Sequence, residues 1–141
     1  KSWSAQVYPG TPTFSLQPNI FVGDDFYSNH NLVILDCAPI TFGDHVFIAP
    51  NCCFSAAGHP LDVEQRNAGL EIALPITVGN NVWIGAGVTV LPGVTIGDNT
   101  VIGAGSVVTR DIPSGVVAVG NPCRALREIT EEDKYKYKLA P

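Results

Sequence analysis

His59 is the side chain in this sequence best suited to moving a proton. It stands in the stretch Gly58-His59-Pro60-Leu61-Asp62, where the following proline restricts its backbone. An imidazole that titrates near neutrality can take the proton of an attacking hydroxyl. On spacing alone, a solvated loop histidine is the competing reading.

A second chemical signal is the distribution of bases. Of eight Lys and Arg, six follow Thr109: Arg110, Arg124, Arg127, Lys134, Lys136 and Lys138. The chain as a whole carries a net charge of −5. An acidic protein that gathers its bases at one end points to an anion there, and the planar fork of Arg suits phosphate. A solvated basic tail is the plainer alternative. The overall sign excludes a protein that binds nucleic acid over its whole surface.

The four cysteines, Cys37, Cys52, Cys53 and Cys123, have no zinc-finger spacing and no histidine beside them in a motif. They read as small buried apolar side chains in a reducing compartment, with Cys52 and Cys53 on opposite faces of a strand. A cytoplasmic protein without a bound metal is the expectation.

These groups need a scaffold, and the scaffold is written as a repeat. At 141 residues the chain reads as one domain. With 45% apolar and 15% charged residues it has the composition of a folded core rather than of a disordered chain. Its 14 glycines and 11 prolines disfavour long helices. From Ile76 the sequence repeats every six residues: ITVGNN, VWIGAG, VTVLPG, VTIGDN, TVIGAG, SVVTRD. Val78, Ile84, Val90, Ile96, Ile102 and Val108 share one phase, and Ile76, Val82, Val88, Val94, Thr100 and Ser106 fall two residues earlier. The same phase begins at Ile40, with a weaker copy at Asn19.

Alternating apolar residues over four or five positions make a short strand, and Gly, Asn and Asp make the turn. Strands this short have no stable hairpin register. Stacked coil upon coil they bury a continuous column. The expectation is an all-β parallel β-helix over residues 19–120, three hexads per coil. Residues 58–75 interrupt the phase with 18 residues and read as a functional loop thrown out of the coil. Residues 1–18 are a lead-in. Residues 121–141 form a tail, where Thr130 and Asp133 signal a short helix. Trp83, flanked by inward Val82 and Ile84, points outward. The histidines stand 15 and 14 residues apart, not at multiples of six, so they do not converge on one zinc ion.

The repeats, the GHPLD insert, the stretch DFYSNHNL, the segment NNVWIG and the ending GNPCRALREI together resemble the maltose and galactoside O-acetyltransferases. The likeness covers roughly residues 19–138. It implies a left-handed parallel β-helix, a homotrimer, and acetyl-CoA bound in a groove between neighbouring coils, with no metal needed. It also implies a helical segment ahead of residue 1, so the natural N-terminus is expected to be missing. It makes His59 the general base, and places Ser15, Tyr27 and Asn29 by the acceptor. Asn29 also lies by the acetyl group, and Trp83, Ala86, Ala104, Thr109, Arg110, Arg124 and Arg127 meet the coenzyme. Tyr27, Ser15 and Trp83 equally suit packing roles.

The implied activity is acetyl transfer to a sugar hydroxyl by direct attack. Cys37 stands where the galactoside branch carries a carboxylate, with Asp36 one residue earlier. That departure bears on acceptor choice, not on acetyl transfer. A non-sugar acceptor (an antibiotic, serine or an amino-sugar) is the first alternative. An inactive trimeric scaffold is the second.

Overall fold

The computed structural model describes residues 6–9 and 19–137. Ser15 and Lys138 lie outside them. The strands in chain order are β1 (Gln6–Pro9), β2 (Ile20–Val22), β3 (Tyr27–Ser28), β4 (Val33–Leu35), β5 (Ile40–Phe42), β6 (Phe47–Ile48), β7 (Cys53–Ser55) and β8 (Ala57–Gly58). A five-residue helix α1 (Val63–Asn67) and β9 (Leu70–Ala73) follow. Then come β10 (Ile76–Val78), β11 (Val82–Ile84), β12 (Thr89–Val90), β13 (Thr95–Ile96), β14 (Thr100–Ile102), β15 (Val107–Val108), β16 (Val116–Gly120) and β17 (Cys123–Glu128).

Three parallel ladders form the faces of a prism. The first face stacks β2, β5, β10 and β13. The second stacks β3, β6, β11, β14 and β16, with β17 at its edge. The third stacks β4, β7, β12 and β15. The chain visits them in turn, which is the path of a β-helix. Val78 lies beside Ile96 on one side and Phe42 on the other. Ile84 lies between Ile48 and Ile102, and Val90 between Phe54 and Val108. Every residue of the two apolar phases from Ile76 to Val108 is buried. Among them are Thr100 and Ser106, whose hydroxyls find partners. Ser106 Oγ donates to the Gly103 carbonyl at 2.6 Å and accepts from the Gly120 N–H at 3.0 Å.

The Gly-Asn and Gly-Asp pairs of the repeat have a specific use at the corner between the first and second faces. The Asp44 N–H donates to Asn80 Oδ1 at 2.8 Å, and the Asn80 N–H to Asp98 Oδ1 at 2.7 Å. Each acceptor sits where the Cβ of the previous coil's glycine would be, so a side chain at Gly43 or Gly79 would collide with it. One residue on, His45, Asn81 and Asn99 adopt the left-handed backbone, with φ of 54°, 55° and 53°. Asn tolerates that region better than most residues.

Two features, the insert and the tail, differ from the reading of the sequence. The insert is not structureless: β8 and β9 pair antiparallel, β9 also pairs with β1, and α1 lies between β8 and β9. Beyond the last hexad, and still inside residues 19–120, Ile112 bridges Ile96 and β16 joins the second face. The tail is part strand: β17 folds back antiparallel on β16 before a 3-10 turn at Glu131–Tyr135. That turn carries the expected Thr130–Asp133 contact, with Asp133 Oδ2 accepting the Thr130 N–H at 2.9 Å.

Candidate functional site

The insert leaves the third face beside Pro92 and carries His59 at its head. His59 is exposed, while the next residue, Pro60, is buried and anchors the turn. The His59 Nδ1 atom lies 3.4 Å from the Leu70 carbonyl oxygen, at the start of β9. A carbonyl only accepts, so this bond requires the proton on Nδ1, and in the neutral ring the lone pair then lies on Nε2. Arg66 secures the chain after His59 by donating from Nη1 to the carbonyls of Pro60 at 3.0 Å and Leu61 at 3.1 Å. Asp62 caps α1 by accepting the Gln65 N–H at 2.9 Å. The reading of the sequence contained neither Arg66 nor the Leu70 carbonyl. A lone Arg within a non-repeating insert gives no signal of where its side chain turns.

Asn29, Ala86 and Ala104 share the corner between the second and third faces; Ala86 and Ala104 stack on each other, and Asn29 sits one register position earlier, in line with Gly85 and Gly103. The Ala86 carbonyl accepts the Gly105 N–H at 2.8 Å, which ties successive coils together. Among the described residues no acceptor takes the Ala86 N–H or the Ala104 N–H, and both alanines are exposed. Asn29 Oδ1 accepts the His30 N–H at 2.7 Å, leaving the side-chain NH2 as a donor. The second face beside this corner bears an outward column of Tyr27, Phe47, Trp83, Val101 and Val117 in register. Trp83 and Tyr27 are each 55% exposed, so Trp83 points outward as expected.

The column ends at Arg127, which lies opposite Val117 on β17, and Arg124 lies opposite Val119. Thr109 and Arg110 follow β15, at the same corner from which the insert departs, and both are exposed. The candidate residues therefore fall into two groups on one chain. His59, Thr109 and Arg110 belong to one corner, and Asn29, Ala86 and Ala104 to the next. Ala86 and Pro92 are six residues apart along the third face, at most about 20 Å of extended chain.

Asp36 is committed to the fold. Its Oδ2 accepts the Asn19 N–H at 3.1 Å and its carbonyl accepts from Asn19 Nδ2 at 3.0 Å, closing the first coil. Cys37 beside it is exposed and Cys53 is half-buried, so the expectation of burial holds only for Cys52 and Cys123. Burial pushes the thiols of both Cys52 and Cys123 above the usual range; for Cys123 the Ser106 hydroxyl and the Arg124 charge offset part of that. Neither is a ready thiolate. Among the described residues no group of three or more His, Cys, Asp or Glu is arranged to hold a metal ion. Nor is any helix there long and apolar enough to cross a membrane.

Parallel ladders on a six-residue period, with a histidine-bearing insert, define a hexapeptide-repeat β-solenoid. Residues 75–110 match the family described as "Bacterial transferase hexapeptide (six repeats)". The galactoside O-acetyltransferase of Escherichia coli is 56% identical over 124 residues, which span 88% of this chain and 61% of that protein. A galactoside acetyltransferase solved in complex with coenzyme A superposes with a TM-score of 0.81 at 54% identity, covering 85% of this chain and 60% of that one. A hexapeptide-repeat-containing acetyltransferase from Vibrio cholerae gives 0.75 at 41% identity, over 82% of this chain and 70% of that one. The chain belongs to the hexapeptide-repeat acetyltransferases, the family that includes the galactoside O-acetyltransferases. It spans about three fifths of the length of the curated relatives it matches.

Proposed function

We propose that this chain forms the solenoid part of an acetyl-CoA-dependent O-acetyltransferase whose acceptor is a sugar hydroxyl. The observation that carries the reading is His59, whose Nδ1 is engaged by the Leu70 carbonyl and whose Nε2 is left to accept a proton. His59 takes the proton of the acceptor hydroxyl as its oxygen attacks the acetyl carbonyl. The new C–O bond forms, the C–S bond breaks, and the proton passes from His59 to the leaving thiolate. The Ala86 N–H, with no acceptor among the described residues, stabilises the developing oxyanion, an effect worth about 3 kcal/mol. Asn29 contributes its free amide donors to the acetyl and acceptor groups. Trp83 lies along the pantetheine arm and Ala104, Thr109, Arg110, Arg124 and Arg127 meet the rest of the coenzyme. Tyr27 flanks the acceptor.

The complex of the galactoside acetyltransferase with coenzyme A supports the coenzyme assignment. The burial of Cys52 and Cys123 speaks against either of them as an acyl carrier. We read the assembly as a homotrimer, as the resemblance implies, so that His59 and the Ala86 corner can belong to different copies. Four free cysteines suit a reducing, cytoplasmic setting.

The test is release of free thiol from acetyl-CoA with maltose, glucose and a thiogalactoside as acceptors. Release that requires both a sugar and His59 supports the proposal. Coenzyme binding without sugar-dependent release overturns the sugar acceptor and directs the search to non-sugar hydroxyls or amines.

A further inference from the structure

The Arg127 guanidinium is held by the protein at its terminal edge and at the outer hydrogen of Nη1. Nη1 donates to Asp133 Oδ2 at 2.8 Å and Nη2 to Asp133 Oδ1 at 2.7 Å. Nη1 uses its second hydrogen on the Glu128 carbonyl at 2.8 Å. Arginine has five N–H donors, so two remain: the Nε–H and the second hydrogen of Nη2. These two lie on a common edge of the fork and point the same way. Among the described residues no acceptor takes either of them.

Asp133 is itself fixed. Its Oδ2 also accepts the Thr130 N–H at 2.9 Å, which locks the carboxylate into the 3-10 turn. The side chain is only 27% exposed, against 44% for Arg127. A rigid carboxylate thus grips a flexible cation at the end of the Trp83 column. The grip leaves a two-donor edge whose geometry matches two oxygens of one phosphate.

Building on the coenzyme reading above, we infer that Asp133 is a positioning residue: it clamps Arg127 by its terminal edge so that the Nε–Nη2 edge is presented to a phosphate of coenzyme A. The carboxylate does not compete with the ligand for this edge. It removes the rotamer freedom that Arg127 would otherwise lose on binding, an effect worth about two- to tenfold in affinity. A capping role alone would account for the Thr130 contact and not for the paired hydrogen bonds from Arg127.

The experiment is a double-mutant cycle read by calorimetric titration with coenzyme A, using Asp133→Asn, Arg127→Ala and the pair. Asp133→Asn is expected to weaken coenzyme binding about two- to tenfold in the presence of Arg127, and by less than about twofold in the Arg127→Ala background. The KM for acetyl-CoA should rise in step while kcat stays the same, and Asp133→Glu should recover part of the loss. Unchanged or tighter binding by Asp133→Asn overturns the inference. So does an equal loss with and without Arg127, which would mark a general effect on the tail. If the unsubstituted protein fails to bind coenzyme A, the coenzyme reading falls and this inference with it. If it binds and only the Asp133 effect is missing, the coenzyme reading stands.

Discussion

The His59 imidazole and the Leu70 carbonyl meet across the insert, 3.4 Å apart, bringing the first turn of the loop against its returning strand. The contact selects one tautomer and one ring orientation. Replacing His59 with Ala removes the proton acceptor and leaves the coils untouched. Turnover is expected to fall by about 10²–10⁴-fold, the usual range for a general base. Affinity for coenzyme A, measured by titration, should stay within about twofold.

Gly79 and Gly87 are both repeat glycines and should respond differently to Ala. A Cβ at Gly79 collides with Asp98 Oδ1, the acceptor for the Asn80 N–H, and lies 2.9 Å from the Asp98 backbone nitrogen. That combines a lost hydrogen bond with crowding against a rigid backbone, about 2–4 kcal/mol. At Gly87 the added methyl meets open space, and only the φ of +69° opposes it, about 1–2 kcal/mol. Denaturant unfolding of the two variants should give this order.

The cysteines should divide by access. Cys37 is exposed and is expected to react with an aromatic disulfide reagent at once. Cys52 and Cys123, buried and with thiols pushed up, should react only on unfolding. Fast labelling of Cys52 in the native protein would mean that the coils open readily.

The Arg127–Asp133 pair sets an acid limit on the tail. The guanidinium, with the Thr130 N–H, holds the Asp133 carboxyl well below the usual carboxylate range, and the pair raises Arg127 in turn. A lowered carboxylate contributes stability that is present above its unfolded value, about 3.9. That contribution fades as pH falls below this value toward the lowered one. Hydrogen exchange of the Thr130 amide should therefore stay protected down to about pH 4 and lose protection below it.

The inward phase was legible because it recurs: six consecutive hexads place an aliphatic at Val78, Ile84, Val90, Ile96, Ile102 and Val108, and each is buried. Where repetition ended, so did legibility. β9 pairs with β1, more than 60 residues earlier in the chain, and no local pattern in Leu70–Ala73 announces that partner. β17 mixes Arg, Ala and Leu without clean alternation, and only its antiparallel contact with β16 makes it a strand. Thr130 and Asp133 were readable as a cap, but Asp133 serves Arg127 as well, and a cap signal does not name a second partner. His59 stands out in the sequence as a candidate. Its role rests on resemblance, and its tautomer on the position of Leu70.

The 18-residue insert leaves the coil and returns at the same corner, so Ile76 stacks on Ile40 as if nothing lay between them. The architecture counts rungs, not residues. A loop grafted between Ala57 and Ile76 needs only to return to its starting corner, whatever its length or composition. The part of the chain that bears the histidine is thus free to vary without re-indexing the part that bears the load. An exchange of this segment between related solenoids would transplant chemistry onto an unchanged frame.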